Sequence, residues 1–168
     1  MLEKIKKNLP LIAVLLLLLV GFTIRMYDLT EEPLDWNFIR QLRDTTIARS
    51  IYYQILPGAD PETVAQAQYL ASHLEVLELP VLEAVMAVLY LVFGETTWIV
   101  RIILSVCWRL GGWFIYQIGK RYFSPWAAIS VLFFYLFVPL GVMASRAFQP
   151  DAWMITWVLL SYLMVSRY

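Results

Sequence analysis

Residues 9–24 read LPLIAVLLLLLVGFTI, a run without a charged side chain. Lys4, Lys6 and Lys7 precede it, as they would precede the apolar core of a secretory signal. A cleavable signal would continue with small residues, whereas residues 21–25 read GFTIR. The stretch therefore predicts an uncleaved first transmembrane helix over residues 9–24, with the amino terminus inside.

The composition agrees with a lipid environment. Of the 168 residues, 61% are hydrophobic, whereas a soluble domain has about half. The formal net charge is zero, so no basic excess indicates nucleic acid as a partner. Cys107 is the single cysteine and His73 the single histidine, which excludes a disulfide framework and a multi-histidine metal site within the chain.

Three further apolar runs are predicted to span the membrane: 98–118, 125–144 and 152–165. A fourth run, 81–93, has 13 residues, whereas spanning takes about 20. We expect it to lie at the outer interface. All short basic flanks then lie inside, as the positive-inside rule requires, namely Lys4, Lys6, Lys7, Lys120, Arg121 and Arg167.

The sequence thus predicts an all-α, multi-pass integral membrane protein. It has four transmembrane helices and external juxtamembrane helices in a loop over 25–97, within one membrane domain over 1–168. This topology leaves Glu3 as the only acidic residue inside. The other carboxylates lie outside, where Asp35 and Asp151 fall at the edge of the lipid.

The external loop carries helix signals. Residues 35–54 are predicted as one helix with Asp35 at the N-cap, ended by residues 56–58, which read LPG. Asp60, Pro61 and Glu62 then predict a new helix start, with a capping carboxylate, proline at the first helical position and an acid in the first turn.

Asp35 is the first candidate catalytic residue. A carboxylate at the bilayer edge can take a proton from an acceptor hydroxyl, and partial desolvation would raise its pKa toward that role. Helix capping is the structural alternative. Glu78, in Glu78-Leu79-Pro80, is either a second carboxylate of the same cavity or a complement to the dipole of the following helix.

Several charged residues are candidate binding residues. Arg146 and Asp151 share a short hairpin between two predicted spans; Arg146 can hold a lipid phosphate, and Asp151 alternatively caps the last helix. Arg40 and Arg43 lie three apart and either form an anion-binding face or pair with Asp44.

Two arginines fall within the predicted span over 98–118. Arg109 is placed mid-span and should face protein or a water-filled cavity. Arg101, near the outer end, can extend its charged group to the interface.

Together these segments resemble the amino-terminal part of the GT-C class of membrane glycosyltransferases. The nearest likeness is to the family of protein O-mannosyltransferases, the lipid A aminoarabinose transferase and the RgtA/B/C/D-like enzymes. It rests on the order of an external aspartate, Glu78-Leu79-Pro80 before a short apolar helix, Phe93-Gly94-Glu95, Lys120-Arg121, Ser145-Arg146 and Pro150-Asp151.

The resemblance implies transfer of a sugar from a polyprenyl-phosphate donor to a sugar, lipid or protein acceptor outside a bacterial cytoplasmic membrane. It implies Asp35 as catalytic base, Glu78 and Asp151 lining the cavity, and Arg146 near the donor phosphate. An acid often follows the aspartate in this family, whereas here Trp36 does. Family members also carry several more helices, so the chain is expected to be a truncated GT-C module.

Two other functions stay open. The alternative is a non-catalytic membrane protein that binds a polyprenyl lipid or a partner membrane protein through Arg109 and Arg146. A piece of a transporter has slight support from Arg109 beside Gly111-Gly112. No metal ligand is assigned from the sequence. A divalent cation stays open as a cofactor, because a carboxylate pair can hold one, although Asp35 and Asp151 alone would make a poor site.

Overall fold

A computed structural model describes residues 2–75 and 77–166, with side chains from residue 8 onward. In this described part the chain is all helical, as predicted. The helices are α1 (Leu2–Arg25), α2 (Phe38–Ile55), α3 (Pro61–Ser72), α4 (Val81–Phe93), α5 (Thr97–Tyr122), α6 (Pro125–Phe137), α7 (Pro139–Ala144) and α8 (Asp151–Val165).

Two of these helices are long and apolar enough to cross a membrane, over Asn8–Arg25 and Thr97–Tyr122. They coincide with the first two predicted spans. Helices α4, α6 and α8 are apolar but shorter. The predicted total of four spans therefore stays a prediction, as does the single membrane domain.

The prediction of one continuous helix over 125–144 is wrong. The helix breaks at Val138, whose backbone is extended (φ −59°, ψ 127°), and α7 restarts at Pro139. Proline has no amide hydrogen to continue the helix, and its ring pushes the preceding residue out of the helical region. The run is apolar throughout, so hydropathy alone does not reveal the break.

The chain forms two compact units. The first is drawn from Met1–Leu29, Arg101–Arg146 and Asp151–Tyr168, the second from Thr30–Val100 and Ala147–Pro150. In the first unit α1 packs on α6, and α5 approaches α6 closely at Gly119, where a Cβ would lie 3.1 Å from the Cβ of Ala128. Helix α8 is joined to α5 by the Thr156 hydroxyl, which donates to the carbonyl of Cys107 at 2.7 Å.

Two polar side chains take up the carbonyls beside the helix break. The indole Nε1 of Trp108 donates to the carbonyl of Tyr135 at 3.1 Å. Arg25, 1% exposed, donates from one terminal nitrogen to the carbonyl of Leu136 at 3.0 Å. Helix ends leave such carbonyls without helical partners. The break therefore provides an acceptor for the buried arginine, and the arginine satisfies a carbonyl that the break leaves unpaired.

Arg25 also fastens the end of α1 to the segment after α7. Its Nε donates to the Ser145 hydroxyl at 2.6 Å, and its other terminal nitrogen donates to the Gly21 carbonyl at 2.6 Å. The guanidinium lies 5.8 Å from the ring centroid of Trp108. A guanidinium has five donors in a fixed fork, which suits it to join three separate backbone segments.

The second unit has a polar interior. Helix α2, which packs on α3 and α4, buries mostly polar residues: Gln41, Arg43, Asp44, Ala48 and Ser50. Its outer face carries Phe38, Ile39 and Leu42, all exposed. Exposed apolar side chains grouped on one face of a helix are typical of a surface that meets lipid or protein.

The helix starts in the second unit are partly as predicted. Asp60 caps α3: its carboxylate accepts from the Thr63 amide at 3.0 Å, with Pro61 and Glu62 in the first turn. The prediction of Asp35 as the N-cap of α2 is wrong. The N-cap is Asn37, in the left-handed region (φ 48°), which asparagine tolerates better than most residues.

Candidate functional site

Five charged side chains of α2, α4 and the segment before α4 form a cluster, called here the α2–α4 charge cluster. It consists of Arg40, Arg43, Asp44, Glu78 and Glu83. Arg40 contacts the Glu78 carboxylate at 2.7 Å, and Arg43 contacts the same oxygen at 4.0 Å and Asp44 at 2.5 Å. Three of the predicted site residues, Arg40, Arg43 and Glu78, are therefore brought together.

The partners of the two arginines decide between the predicted alternatives. Arg43 pairs with Asp44, as the alternative interpretation expected, and also donates to the Glu75 carbonyl at 2.9 Å. Arg40 pairs with Glu78. Because carboxylates already occupy these positions, a phosphate would have to displace one of them to bind here.

The cluster contains more acid than base. Asp44 is 0% exposed and Glu83 3% exposed, and the buried Asp44 Oδ2 atom has no hydrogen-bond partner among the described residues. Burial raises the pKa of Asp44 to about 7; the nearby Glu83 and Glu78 carboxylates also raise it, while Arg43 and Arg40 lower it. Burial likewise raises the pKa of Glu83. Three carboxylates facing two guanidiniums thus favour retention of a proton near neutral pH.

Loss of this proton makes the second unit less stable as the pH rises. The pKa of Asp44 is 3.8 in an unperturbed chain and about 7 in the fold, so the folded state binds the proton more tightly. The stability that this protonation contributes, about 2–4 kcal/mol, is therefore fully present below about pH 4 and is lost as the pH rises through about 7. Hydrogen exchange of the α2 amides, corrected for intrinsic rates, should show protection falling over this interval.

Asp44→Asn should reduce the change in the free energy of unfolding between about pH 4 and about pH 7 by about 2 kcal/mol, because asparagine keeps an acceptor for Arg43 and cannot ionise. Glu62→Gln is the matched control, since Glu62 is an exposed acid in the first turn of α3. An unchanged pH dependence in Asp44→Asn would contradict the assignment of the proton to this cluster.

Asp35 lies in the loop before α2 and its side chain is exposed. Its Oδ1 accepts a hydrogen bond from Nε2 of Gln41 at 3.1 Å. The burial expected for Asp35 is found at Asp44 instead.

Arg146 and Arg101 meet at one backbone carbonyl in the first unit. Arg146 donates to the carbonyl of Asp28 at 3.0 Å, and Arg101 donates to the same oxygen at 2.6 Å and to Leu29 at 3.3 Å. Arg101 is 2% exposed, so its guanidinium is buried against the turn that follows α1, and its extension to the membrane interface stays a prediction. Within the part of the chain that the structure describes, the buried Arg146 Nε atom has no hydrogen-bond partner.

The remaining predicted residues lie in the first unit. Asp151 is the first residue of α8 and half-buried, where an acid complements the helix dipole. Arg109 is exposed and lies 5.1 Å from the ring centroid of Phe22. Because Asp35 and Glu78 belong to one unit and Arg146 and Asp151 to the other, their convergence on one cavity stays a prediction.

Three residues of interest were missed by the sequence analysis: Gln41, Asp44 as a buried acid, and Glu83. Glu83 carried a signal, because it is the only charged residue in the apolar helix α4, and such a residue is rarely buried without charged or polar partners. Gln41 carried none, since a single glutamine on a mixed helix is ordinary.

Comparison with known proteins places the chain in a family. A family model described as dolichyl-phosphate-mannose-protein mannosyltransferase matches residues 78–168, more than half of the chain. No curated protein and no solved structure matches the chain. The matched range includes Glu78, Arg146 and Asp151 and begins after Asp35, so the role of Asp35 stays a prediction. The predicted resemblance is confirmed: the chain belongs to the dolichyl-phosphate-mannose-protein mannosyltransferase family, of GT-C type.

Proposed function

We propose that this chain acts as a glycosyltransferase that moves a sugar from a polyprenyl-phosphate carrier to an acceptor outside the membrane. The family match carries the proposal, because the family uses such a sugar donor. Asp35 is assigned as the base that takes the proton of the acceptor hydroxyl. Its exposed carboxylate leaves it open to an acceptor.

The other site residues have supporting roles. Arg146 is assigned to the donor phosphate, since its buried Nε has no hydrogen-bond partner among the described residues and guanidinium matches phosphate geometry. Glu78 and Asp151 are assigned to the cavity wall. Arg40 and Arg43, expected to bind substrate, are assigned to holding Glu78, which both approach within 4.0 Å. No metal ion is assigned; among the described residues no acidic, histidine or cysteine group suits one.

The proposed topology has four crossings of the cytoplasmic membrane, with the amino terminus inside and the loop over 25–97 outside. Helix α1 supports this, because large apolar side chains cover much of its surface, as expected of a helix in lipid. The third crossing is the broken pair α6 and α7; breaks are tolerated in membranes where side chains satisfy the freed carbonyls. Helix α4 is proposed to lie at the interface, because its exposed stripe is apolar: Val81, Val85, Val88 and Val92.

The experiment is a transfer assay with the full chain in lipid nanodiscs, with radiolabelled polyprenyl-phosphate mannose and source membranes as acceptor. Label moving from lipid to acceptor supports the proposal. Saturable binding of the labelled lipid without transfer favours the alternative, a non-catalytic membrane protein that binds a polyprenyl lipid. Arg146→Gln should weaken binding of the labelled lipid about tenfold under either function, with Arg121→Gln as the control.

A further inference from the structure

Gln41 is a buried amide with three hydrogen bonds to the region of the proposed base. It is 1% exposed. Its Nε2 donates to Asp35 Oδ1 at 3.1 Å and to the Trp36 carbonyl at 2.6 Å. Its Oε1 accepts from the amide of Phe148 at 2.9 Å. One side chain thus joins the loop of Asp35 to residues 147–150, the stretch between Arg146 and Asp151 in sequence.

The geometry leaves Gln41 no freedom to reorient. Its Oε1 faces an N–H, and its Nε2 faces two oxygens, so a flipped amide would place like groups against each other. The Asp35 side chain is exposed, whereas the Gln41 amide that donates to its Oδ1 atom is buried and held on both ends. A donor fixed in this way restricts the orientations that the carboxylate can take.

We infer that Gln41 is the positioning residue of this enzyme: its amide N–H orients the Asp35 carboxylate and keeps it ionised for proton abstraction. This rests on the proposed function, in which Asp35 is the base. A donor to a carboxylate stabilises the charged form, so loss of Gln41 makes Asp35 both less oriented and harder to ionise.

Two substitutions separate positioning from packing. Gln41→Glu keeps an oxygen for the Phe148 amide and replaces the donor to Asp35 with a like charge. Gln41→Met has a similar length and loses all three hydrogen bonds. If Gln41 served only to hold the Phe148 amide, Gln41→Glu would behave like the wild type. If Gln41 acts on Asp35, Gln41→Glu should be more impaired than Gln41→Met. Gln54→Glu is the control, because Gln54 lies on the same helix and bonds only within its own turn, to Ser50.

The measurement is a carbon NMR titration of the Asp35 carboxyl in the full chain in nanodiscs, with the signal assigned by its loss in Asp35→Asn. The midpoint should rise by about one pH unit in Gln41→Met and by more in Gln41→Glu, while Gln54→Glu leaves it unchanged. The acidic limb of the transfer rate should move in parallel, with kcat lowered about 10–100-fold.

An unchanged midpoint in Gln41→Met, or wild-type behaviour in Gln41→Glu, would overturn the inference. Either variant alone decides it if the other does not fold. Failure of the proposed function has a different signature: the midpoint moves in the Gln41 variants, but Asp35→Asn retains transfer.

Discussion

Asp35→Asn should lower the rate of sugar transfer by about 10²–10⁴-fold, the range for loss of a general base, while the protein still inserts into the membrane. The substitution is well suited to the site. Asparagine keeps an oxygen that can accept from Gln41 Nε2 and replaces the second carboxylate oxygen with an amide nitrogen, so the charge and the ability to take a proton are lost. Unchanged insertion alongside a loss of rate would then indicate a loss of chemistry.

Asp28→Asn is the matched control. Asp28 is a second exposed aspartate, seven residues earlier, in the left-handed region with φ 46°, where asparagine is well tolerated. Its contacts with Arg101 and Arg146 use the backbone carbonyl, which the substitution leaves in place. We expect transfer in Asp28→Asn within about twofold of wild type by the labelled-lipid assay. Full activity in Asp35→Asn would remove Asp35 from the role of base.

The predicted elements that the structure confirms had local signals. Capping chemistry fixed the start of α3, because Asp60, Pro61 and Glu62 each favour the first turn for an independent physical reason. Hydropathy located α1 and α5, since a long and mostly apolar run has few alternatives to a helix in lipid.

The interior of the second unit could not be predicted in this way. Pattern analysis places apolar residues inside, whereas α2 buries Gln41, Arg43 and Asp44 and exposes Ile39 and Leu42. The partners that make this burial tolerable come partly from distant positions: the Glu75 carbonyl for Arg43, and the Phe148 amide for Gln41. Nothing in the spacing of α2 indicates which residues those partners are.

The helix break had a signal that hydropathy outweighs. Pro139 is compatible with a helix interrupted at residue 138, but in lipid a break requires other groups to bind the freed carbonyls. Those groups, Arg25 and Trp108, lie at the end of α1 and in the middle of α5. The sequence marks Arg25 only as the residue that ends the first apolar run.

The first unit should depend strongly on Arg25. Arg25→Met removes the donors to Ser145, Gly21, Leu136 and Gly141, and each lost buried hydrogen bond from the charged guanidinium costs about 1 kcal/mol or more. We expect the free energy of unfolding to fall by about 3–5 kcal/mol. Arg25→Lys should recover only a minority of this loss, because an ammonium group cannot reach three acceptors with the fork geometry of guanidinium.

Cys107 provides the measurement, because it is the single cysteine and lies half-buried in α5. The rate of its alkylation by a maleimide, followed across a titration of denaturing detergent, reports the opening of the first unit. The midpoint should move to lower detergent in Arg25→Met and remain near wild type in Arg109→Met. Arg109 is the matched control, since it is an exposed arginine of the same unit whose described contact is the face of the Phe22 ring at 5.1 Å. Equal midpoints for the two variants would mean that the carbonyls at the α6–α7 break are satisfied without Arg25, and that the break is imposed by Pro139 alone.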